Sequence, residues 1–192
     1  MVYRDVVQSI LSLPWESADP GDVIAVSHAI AKEFAAGLRR SIAMHPADSC
    51  LQEVAAGELK TNNLNYEGYA HAGDHWEFLD FFIKKVSMVP SKPVVTRAIT
   101  KSLSDMNSFS VDETVMLIAS REKESKKIYT RILQSQSWAA LGFGFYEYYL
   151  QRHISLDSEE GGHADLLANF PIDDTVLTRG YTARLELYSS LF

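Results

Sequence analysis

The chain has 192 residues, of which 46% are hydrophobic and 22% are charged, and its formal net charge is −7. These values predict one globular domain spanning 1–192 with a sizeable core. The acidic balance argues against nucleic acid or an anionic membrane as a partner, because either favours a basic surface. The single cysteine, Cys50, excludes an intrachain disulfide and a cysteine-rich zinc site. We find neither a signal-peptide pattern nor an apolar run approaching the roughly 20 residues of a membrane span, so we expect a soluble, cytoplasmic protein.

Apolar residues recur at helical spacing along the chain, and no segment alternates as a strand does. Prolines and a capping box at Ser110 and Glu113 divide this pattern into helices. The predicted helices are 3–13, 22–43, 49–58, 74–86, 94–106, 110–133, one from about 138 that passes through 157 and can continue to Leu167, and a last one from Asp173 or Asp174 to the C-terminus. The pattern therefore predicts an all-α fold, a bundle of seven to nine helices.

Three of these helices carry a residue of ligand type on an apolar stripe. Glu58 ends the stripe of the third helix. His75 begins that of the fourth, which continues through Phe82 to Val86. Glu122 lies on the core stripe of the helix that starts at Ser110, and Tyr129 lies further along the same stripe. Glu124 falls on a different face, so of these two acids only Glu122 is predicted to point into the core. For Glu58 the alternative is a helix-end glutamate that reaches solvent.

The segment Tyr149-Leu150-Gln151-Arg152-His153-Ile154-Ser155-Leu156-Asp157 adds two more such residues. A step of four residues on a helix leaves His153 and Asp157 about 40° apart, and Tyr146, Tyr149 and Leu150 precede them on one apolar face. Burying an imidazole and a carboxylate without partners costs several kcal/mol. The pair is therefore either a hydrogen-bonded pair inside the core or part of a metal site.

Five inward residues of ligand type from four helices favour the metal site. Imidazole and carboxylate without thiolate are the ligands of non-heme iron, manganese or zinc, and helical bundles build di-metal sites from facing helices. His163 is the predicted sixth ligand, because Gly161-Gly162 allows a distortion that turns it inward. Glu160, which is better aligned with His153 on a regular helix, is its competitor.

The same segment resembles the Tyr-Leu-x-Arg-His-Ile-x-Leu-Asp motif of a bacterial family of unknown function, itself similar to the heme-oxygenase-like diiron oxidases and oxygenases. Shorter matches are Gly57-Glu58, Asp74-His75-Trp76-Glu77, Arg121-Glu122 and Ala183-Arg184-Leu185-Glu186-Leu187-Tyr188. Together the matches run in order from Glu58 to near the C-terminus. The resemblance implies a heme-oxygenase-like helical bundle.

In that superfamily three core helices hold two iron ions. When the motifs are matched residue by residue, the resemblance implies that the metal ligands are Glu58, His75, Glu122, His153, Asp157 and His163. One departure concerns the last histidine, which in the family directly follows Asp-Glu, whereas here Gly161-Gly162 precedes His163. A single iron ion, or manganese, is the alternative to two irons.

Members of the superfamily use iron and O₂ to oxidise a bound small molecule, so the resemblance implies an O₂-dependent oxidase or oxygenase acting on a small organic substrate. The predicted substrate-binding residues are Arg152, Tyr149, Phe145 and Trp76, with core packing or a surface ion pair as the alternative roles. Arg184 is a second candidate for holding a substrate carboxylate.

Two other functions stay open. A metal-free binding or interaction protein on the same scaffold would pair its polar core residues among themselves. A heme oxygenase-like protein would use His28 as proximal ligand and Gly142-Phe143-Gly144 as a glycine-rich distal segment. The role that the sequence favours for His28, which is alone among apolar neighbours, is that of a hydrogen-bonded core residue. The sequence is compatible with a homodimer, and it identifies neither the substrate nor the product.

Overall fold

The computed structural model describes residues 2–156 and 171–192, without the side chain of Glu122. Within these residues eight α-helices and one short 3₁₀ helix, Trp15–Ser17, account for the regular structure. The α-helices are α1 (Tyr3–Leu11), α2 (Pro20–Met44), α3 (Ser49–Glu58), α4 (His75–Lys85), α5 (Pro93–Asn107), α6 (Val111–Leu133), α7 (Gly144–Leu156) and α8 (Asp174–Ser189). The described residues contain no β-sheet, and the predicted all-α bundle is confirmed.

Local capping interactions determine where the helices begin. The Ser110 hydroxyl accepts a hydrogen bond from the Glu113 backbone N–H at 3.2 Å, and the Glu113 carboxylate accepts one from the Ser110 backbone N–H at 2.8 Å. This reciprocal pair starts α6. At α4 the backbone N–H of Asp74 donates to the Glu77 carboxylate at 2.7 Å, which makes His75 the first helical residue.

Helix α6 lies at the centre of the bundle. It packs against α1, α2, α7 and α8, while α2 also packs against α3, α4 and α5. The inner face of α7 is buried as predicted, with Tyr146, Tyr149, Leu150 and His153 all at most 4% exposed. The arrangement brings the end of α3, the start of α4 and the last turns of α7 to one region of the core.

Two predictions about buried faces are wrong. Glu124 is 5% exposed and pairs with Lys127, with Oε2 2.6 Å from Nζ, although the helical pattern had turned it away from the core. It is buried because α6 has neighbours on several sides, so its buried surface is wider than one stripe. Val86, predicted to lie on the buried face of α4, is 47% exposed because the helix ends at Lys85.

The segment between α3 and α4 is irregular but anchored. Thr61 and Gly73 form a bridge with backbone hydrogen bonds of 3.0 and 2.9 Å. The Asp74 carboxylate accepts hydrogen bonds from the Lys60 backbone N–H at 3.1 Å and from the guanidinium of Arg39 on α2. These contacts hold the segment over the end of α3.

None of the helices described above combines the length and the apolar character needed to cross a lipid bilayer.

Candidate metal centre

Three ligand-type side chains from three helices meet in the core. Glu58 is the last residue of α3, His75 is the first residue of α4, and His153 lies in the final turn of α7. Glu58 is 6% exposed and the two histidines are each 4% exposed. The His75 Nδ1 atom is 2.9 Å from Glu58 Oε2 and 2.9 Å from His153 Nε2. One ligand atom from each residue lies within 4.8 Å of the other two, and the alternative of a Glu58 side chain reaching solvent is wrong.

Asn63 determines which nitrogen of His75 faces the cluster. The Asn63 Nδ2 amide donates to the Gly57 carbonyl oxygen at 2.9 Å, which orients its Oδ1 atom toward His75 Nε2 at 2.8 Å. An amide oxygen only accepts, so His75 Nε2 carries the proton and donates. The lone pair of a neutral His75 is therefore on Nδ1, the atom that faces Glu58 and His153.

A backbone carbonyl determines the tautomer of His153 in the same way. His153 Nδ1 is 2.8 Å from the Tyr149 carbonyl oxygen, which can only accept a hydrogen bond. The proton of a neutral His153 is thus on Nδ1, and its lone pair is on Nε2. Two imidazole lone pairs and a carboxylate oxygen consequently converge, and only a cation between them removes their mutual repulsion. That cation is either an additional proton or a metal ion.

The electrostatic surroundings limit where an additional proton can reside. Burial, together with the neighbouring His75, lowers the pKa of His153 to about 3. Burial by itself raises the pKa of the Glu58 carboxyl, but His75, His153 and Arg121 outweigh burial and bring that pKa well below its ordinary value. At neutral pH His153 is therefore neutral and Glu58 is ionised.

The donor set also fits a metal ion. Two imidazole nitrogens and one carboxylate form the ligand set of non-heme iron oxygenases, and zinc and manganese accept the same atoms. Each histidine donates its second ring N–H to a carbonyl-type oxygen, the arrangement that orients metal-bound histidines. We therefore regard Glu58, His75 and His153 as the residues that would hold a metal.

The other predicted ligands are not placed by the described residues. Glu122 lies on α6, but its side chain is outside the described part of the structure. Asp157, His163 and the competitor Glu160 also lie outside it. The second half of the predicted di-metal ligand set stays a prediction.

Two predicted substrate-binding residues lie beside the centre. The Tyr149 ring is 4.1 Å from the His153 ring, centroid to centroid. Tyr149 is 1% exposed, and its hydroxyl has no hydrogen-bond partner in the described structure. Arg152 Nε donates to the Asn63 carbonyl oxygen at 3.3 Å, so this arginine contacts the residue that orients His75.

The other two predicted substrate-binding residues contact the core and the surface of α4. Phe145 stacks on Phe82 with ring centroids 4.9 Å apart. Trp76 is half-buried, donates from Nε1 to the Asp74 carboxylate at 2.9 Å and lies beneath the Lys32 ammonium. These contacts give both aromatic rings packing roles, and their part in binding a substrate stays a prediction.

Three residues at the site were not identified from the sequence as site residues. Asn63 lies in the irregular segment, where no periodicity predicts its orientation. Arg121 and Tyr129 lie on α6, with Arg121 Nη2 donating to the Tyr129 hydroxyl at 3.3 Å and the Tyr129 ring 5.6 Å from the His153 ring. Tyr129 was on the predicted core stripe, but only the packing of α6 against α7 shows which histidine it contacts.

His28, the residue required by the heme alternative, lies between α2 and α4. Its Nε2 atom is 3.7 Å from Asp80 Oδ1 and makes no hydrogen bond, and its ring is 6.0 Å from the Trp76 ring. Burial lowers the pKa of this histidine. A hydrogen-bonded core histidine, the role the sequence favoured, is therefore not what these contacts show.

Replacing Asn63 by alanine is expected to weaken zinc binding about 10–100-fold, because residues that orient metal-bound histidines typically contribute that much. Isothermal titration calorimetry with Zn²⁺ measures this change. Asn62→Ala is the matched control, since Asn62 is exposed. Equal zinc affinity in the two variants would show that His75 does not depend on Asn63.

Comparison of the chain with protein-family models and with curated proteins gives no match.

Proposed function

We propose that this protein is a non-heme iron-dependent, O₂-using oxidase or oxygenase that acts on a small organic substrate. The observation that carries the proposal is the convergence of the His75 and His153 lone pairs with the Glu58 carboxylate inside the core. The resemblance of the 149–157 segment and the shorter motifs to heme-oxygenase-like diiron enzymes points to the same chemistry. We further propose a cytoplasmic location, as the composition suggests.

Iron bound by these residues would supply the reduction of O₂ that oxidises the substrate. Two iron ions are expected if Glu122, Asp157 and His163 complete the ligand set. A single iron ion, or manganese in place of iron, is the alternative. The chain itself supplies the burial that excludes bulk water from Glu58 and both histidines. Asn63 and the Tyr149 carbonyl hold the two imidazoles in the tautomers that accept a cation.

Among the four predicted substrate-binding residues, a structural observation favours Tyr149. A buried hydroxyl without a partner costs free energy, and few native proteins retain one without a reason. The Tyr149 ring is 4.1 Å from the His153 ring, so Tyr149 lies beside the centre. We propose that it donates a hydrogen bond to the molecule bound there.

Tyr149→Phe is therefore expected to stabilise the metal-free protein by up to about 1–3 kcal/mol, because it removes an unsatisfied buried group. It should also weaken azide binding to the iron-loaded protein about fivefold, the value of one lost hydrogen bond. Urea unfolding and optical titration with azide measure the two effects.

Tyr146→Phe is the matched control on the same face of α7, because the Tyr146 hydroxyl is 2.6 Å from the Ser27 hydroxyl. Removing that hydrogen bond should cost about 1 kcal/mol and leave azide affinity unchanged. A Tyr149→Phe variant that is destabilised like Tyr146→Phe would contradict the role of Tyr149.

The test of the proposed function is metal analysis after anaerobic Fe(II) loading and desalting, followed by measurement of O₂ consumption. About two iron ions per chain are expected with the full ligand set, and about one with the three described ligands alone. The absence of iron uptake and of metal-dependent O₂ consumption would overturn the proposal in favour of the metal-free binding protein. A heme absorption band after hemin addition that is lost in His28→Ala would favour the heme-binding alternative.

A further inference from the structure

A cavity adjoins the candidate metal centre. It has a volume of about 70 Å³ and lies between α2, α6 and α8. Arg121 and Tyr129 form the part of its wall that faces the centre. Tyr129 contacts the His153 ring, and the charge of Arg121 acts on both Glu58 and His153. The cavity and the metal centre therefore share a wall on α6.

The cavity wall combines apolar side chains with a few charges. Its described lining contains two guanidinium groups, Arg121 and Arg184, and one carboxylate, Glu33, so its net charge is +1. Glu33 on α2 and Arg184 on α8 form an ion pair in which each side chain is 13% exposed. Most of the remaining wall is apolar or aromatic, and the Phe34 ring lies 3.7 Å from the Arg121 guanidinium. Such a wall favours a ligand with an apolar body and one negative group.

Arginine suits a carboxylate because its fork of N–H groups can donate two parallel hydrogen bonds. In the present structure the Arg184 guanidinium already donates a hydrogen bond to the Glu33 carboxylate. A ligand carboxylate would therefore bind in exchange for Glu33. The small volume limits the apolar body, because a cavity of about 150 Å³ accommodates benzene, so about three to four carbon atoms are expected here.

We propose that this cavity binds the substrate and that the substrate is a short aliphatic carboxylate. Its carboxylate would bind Arg184 in place of Glu33, and its body would lie among Ile30, Ile118 and Ile128, which line the cavity. The assignment rests on the proposed function only in calling the ligand a substrate. Binding itself requires no metal.

The test is calorimetric titration of the full chain with isovalerate and with isovaleramide, which has the same shape and no charge. Isovalerate is expected to bind at least about tenfold more tightly, the value of a charge-assisted pair of hydrogen bonds. Arg184→Gln should remove this preference. Leu117→Phe should weaken the binding of both probes, because Leu117 lines the cavity.

Glu33→Gln gives the sharpest result, because it removes the group that competes for Arg184. It is expected to bind isovalerate more tightly than the unmodified protein, whereas an ion pair that only joins α2 to α8 would give no such gain. Glu53→Gln, at an exposed position of α3, is the matched control and should bind isovalerate like the unmodified protein.

A titration with L-valine tests whether the carboxylate belongs to a simple acid or to an amino acid. L-valine is isovalerate with an added α-ammonium group. Tighter binding of L-valine than of isovalerate would identify the ligand as an amino acid whose ammonium group pairs with Glu33.

Equal affinities for isovalerate and isovaleramide, or isovalerate binding that Leu117→Phe does not change, would overturn the proposal. Metal content is measured on the same samples. A protein that binds isovalerate but no iron would refute the proposed oxidase and leave the cavity assignment standing. A protein that loads iron but does not prefer the carboxylate would refute the cavity assignment alone.

Discussion

His153→Ala is expected to weaken zinc binding by more than about 100-fold, beyond the 10–100-fold effect of losing a residue that only orients a ligand. The substitution removes one of the three atoms that converge in the core and leaves His75 and Glu58 as an incomplete site. Glu58→Gln is expected to have a similar effect with little change in shape, because an amide replaces the carboxylate. Calorimetry with Zn²⁺ and metal analysis after Fe(II) loading measure both losses.

His45→Ala is the matched control for this prediction. The His45 side chain is 42% exposed, its Nε2 atom lies 3.2 Å from the Asp112 carboxylate, and it does not belong to the Glu58, His75 and His153 group. Its removal should leave metal binding unchanged. Zinc affinity that survives both His153→Ala and Glu58→Gln would show that any metal binds elsewhere.

The same variants separate a metal centre from a metal-free polar core. A metal that binds the folded chain stabilises it by about 4 kcal/mol at a concentration a thousandfold above its Kd, so zinc should raise the melting temperature of the unmodified protein and leave that of Glu58→Gln unchanged. In a metal-free core Glu58 would serve only as the buried partner of His75, whose Nδ1 atom is 2.9 Å from Glu58 Oε2. Glu58→Gln would then destabilise the protein by about 3–5 kcal/mol, and zinc would stabilise neither protein.

Phe78→Ala is the prediction with the largest expected effect on folding. Phe78 is fully buried on α4, one turn after His75, and its ring lies 5.1 Å from Tyr69 and 6.1 Å from Tyr149. Truncating a buried phenylalanine to alanine costs about 3–5 kcal/mol. Because Phe78 packs α4 against α7, the distance between His75 and His153 should also become less well defined, and zinc affinity should fall.

Urea unfolding and zinc calorimetry on the same protein measure the two consequences of Phe78→Ala. Phe192→Ala is the control, because that ring is 43% exposed at the end of the chain; it should cost less than about 1 kcal/mol. A Phe78→Ala variant of normal stability would contradict the role given to this aromatic contact.

The helical architecture was predictable because the sequence carries its local signals plainly. The stripe Tyr146, Tyr149, Leu150 and His153 determines the buried face of α7, and Ser110 with its capping box determines where α6 begins. Helical spacing also indicated that Glu58 and His75 point inward, and the structure places both against His153. Period and capping are local properties, so one sequence is enough to identify them.

What the sequence did not predict depends on which helices are neighbours. Glu124 is buried because α6 contacts helices on several sides. The residue spacing of α6 alone does not show how many helices pack against it. Asn63 orients His75 from an irregular segment whose conformation follows from anchors at Arg39 and Asp74. The cavity beside the centre likewise results from the separation of α2, α6 and α8.

The segment from Leu59 to Asp74 joins two of the candidate ligands, because Glu58 directly precedes it and His75 directly follows it. A cation held by both residues would close this segment into a loop, so the segment could open only if the cation were released or the rest of the site rearranged. By mass action, every increase in metal occupancy would then make such opening rarer. The rate of amide hydrogen exchange in residues 59–74 would thus report the fraction of the protein that has metal bound.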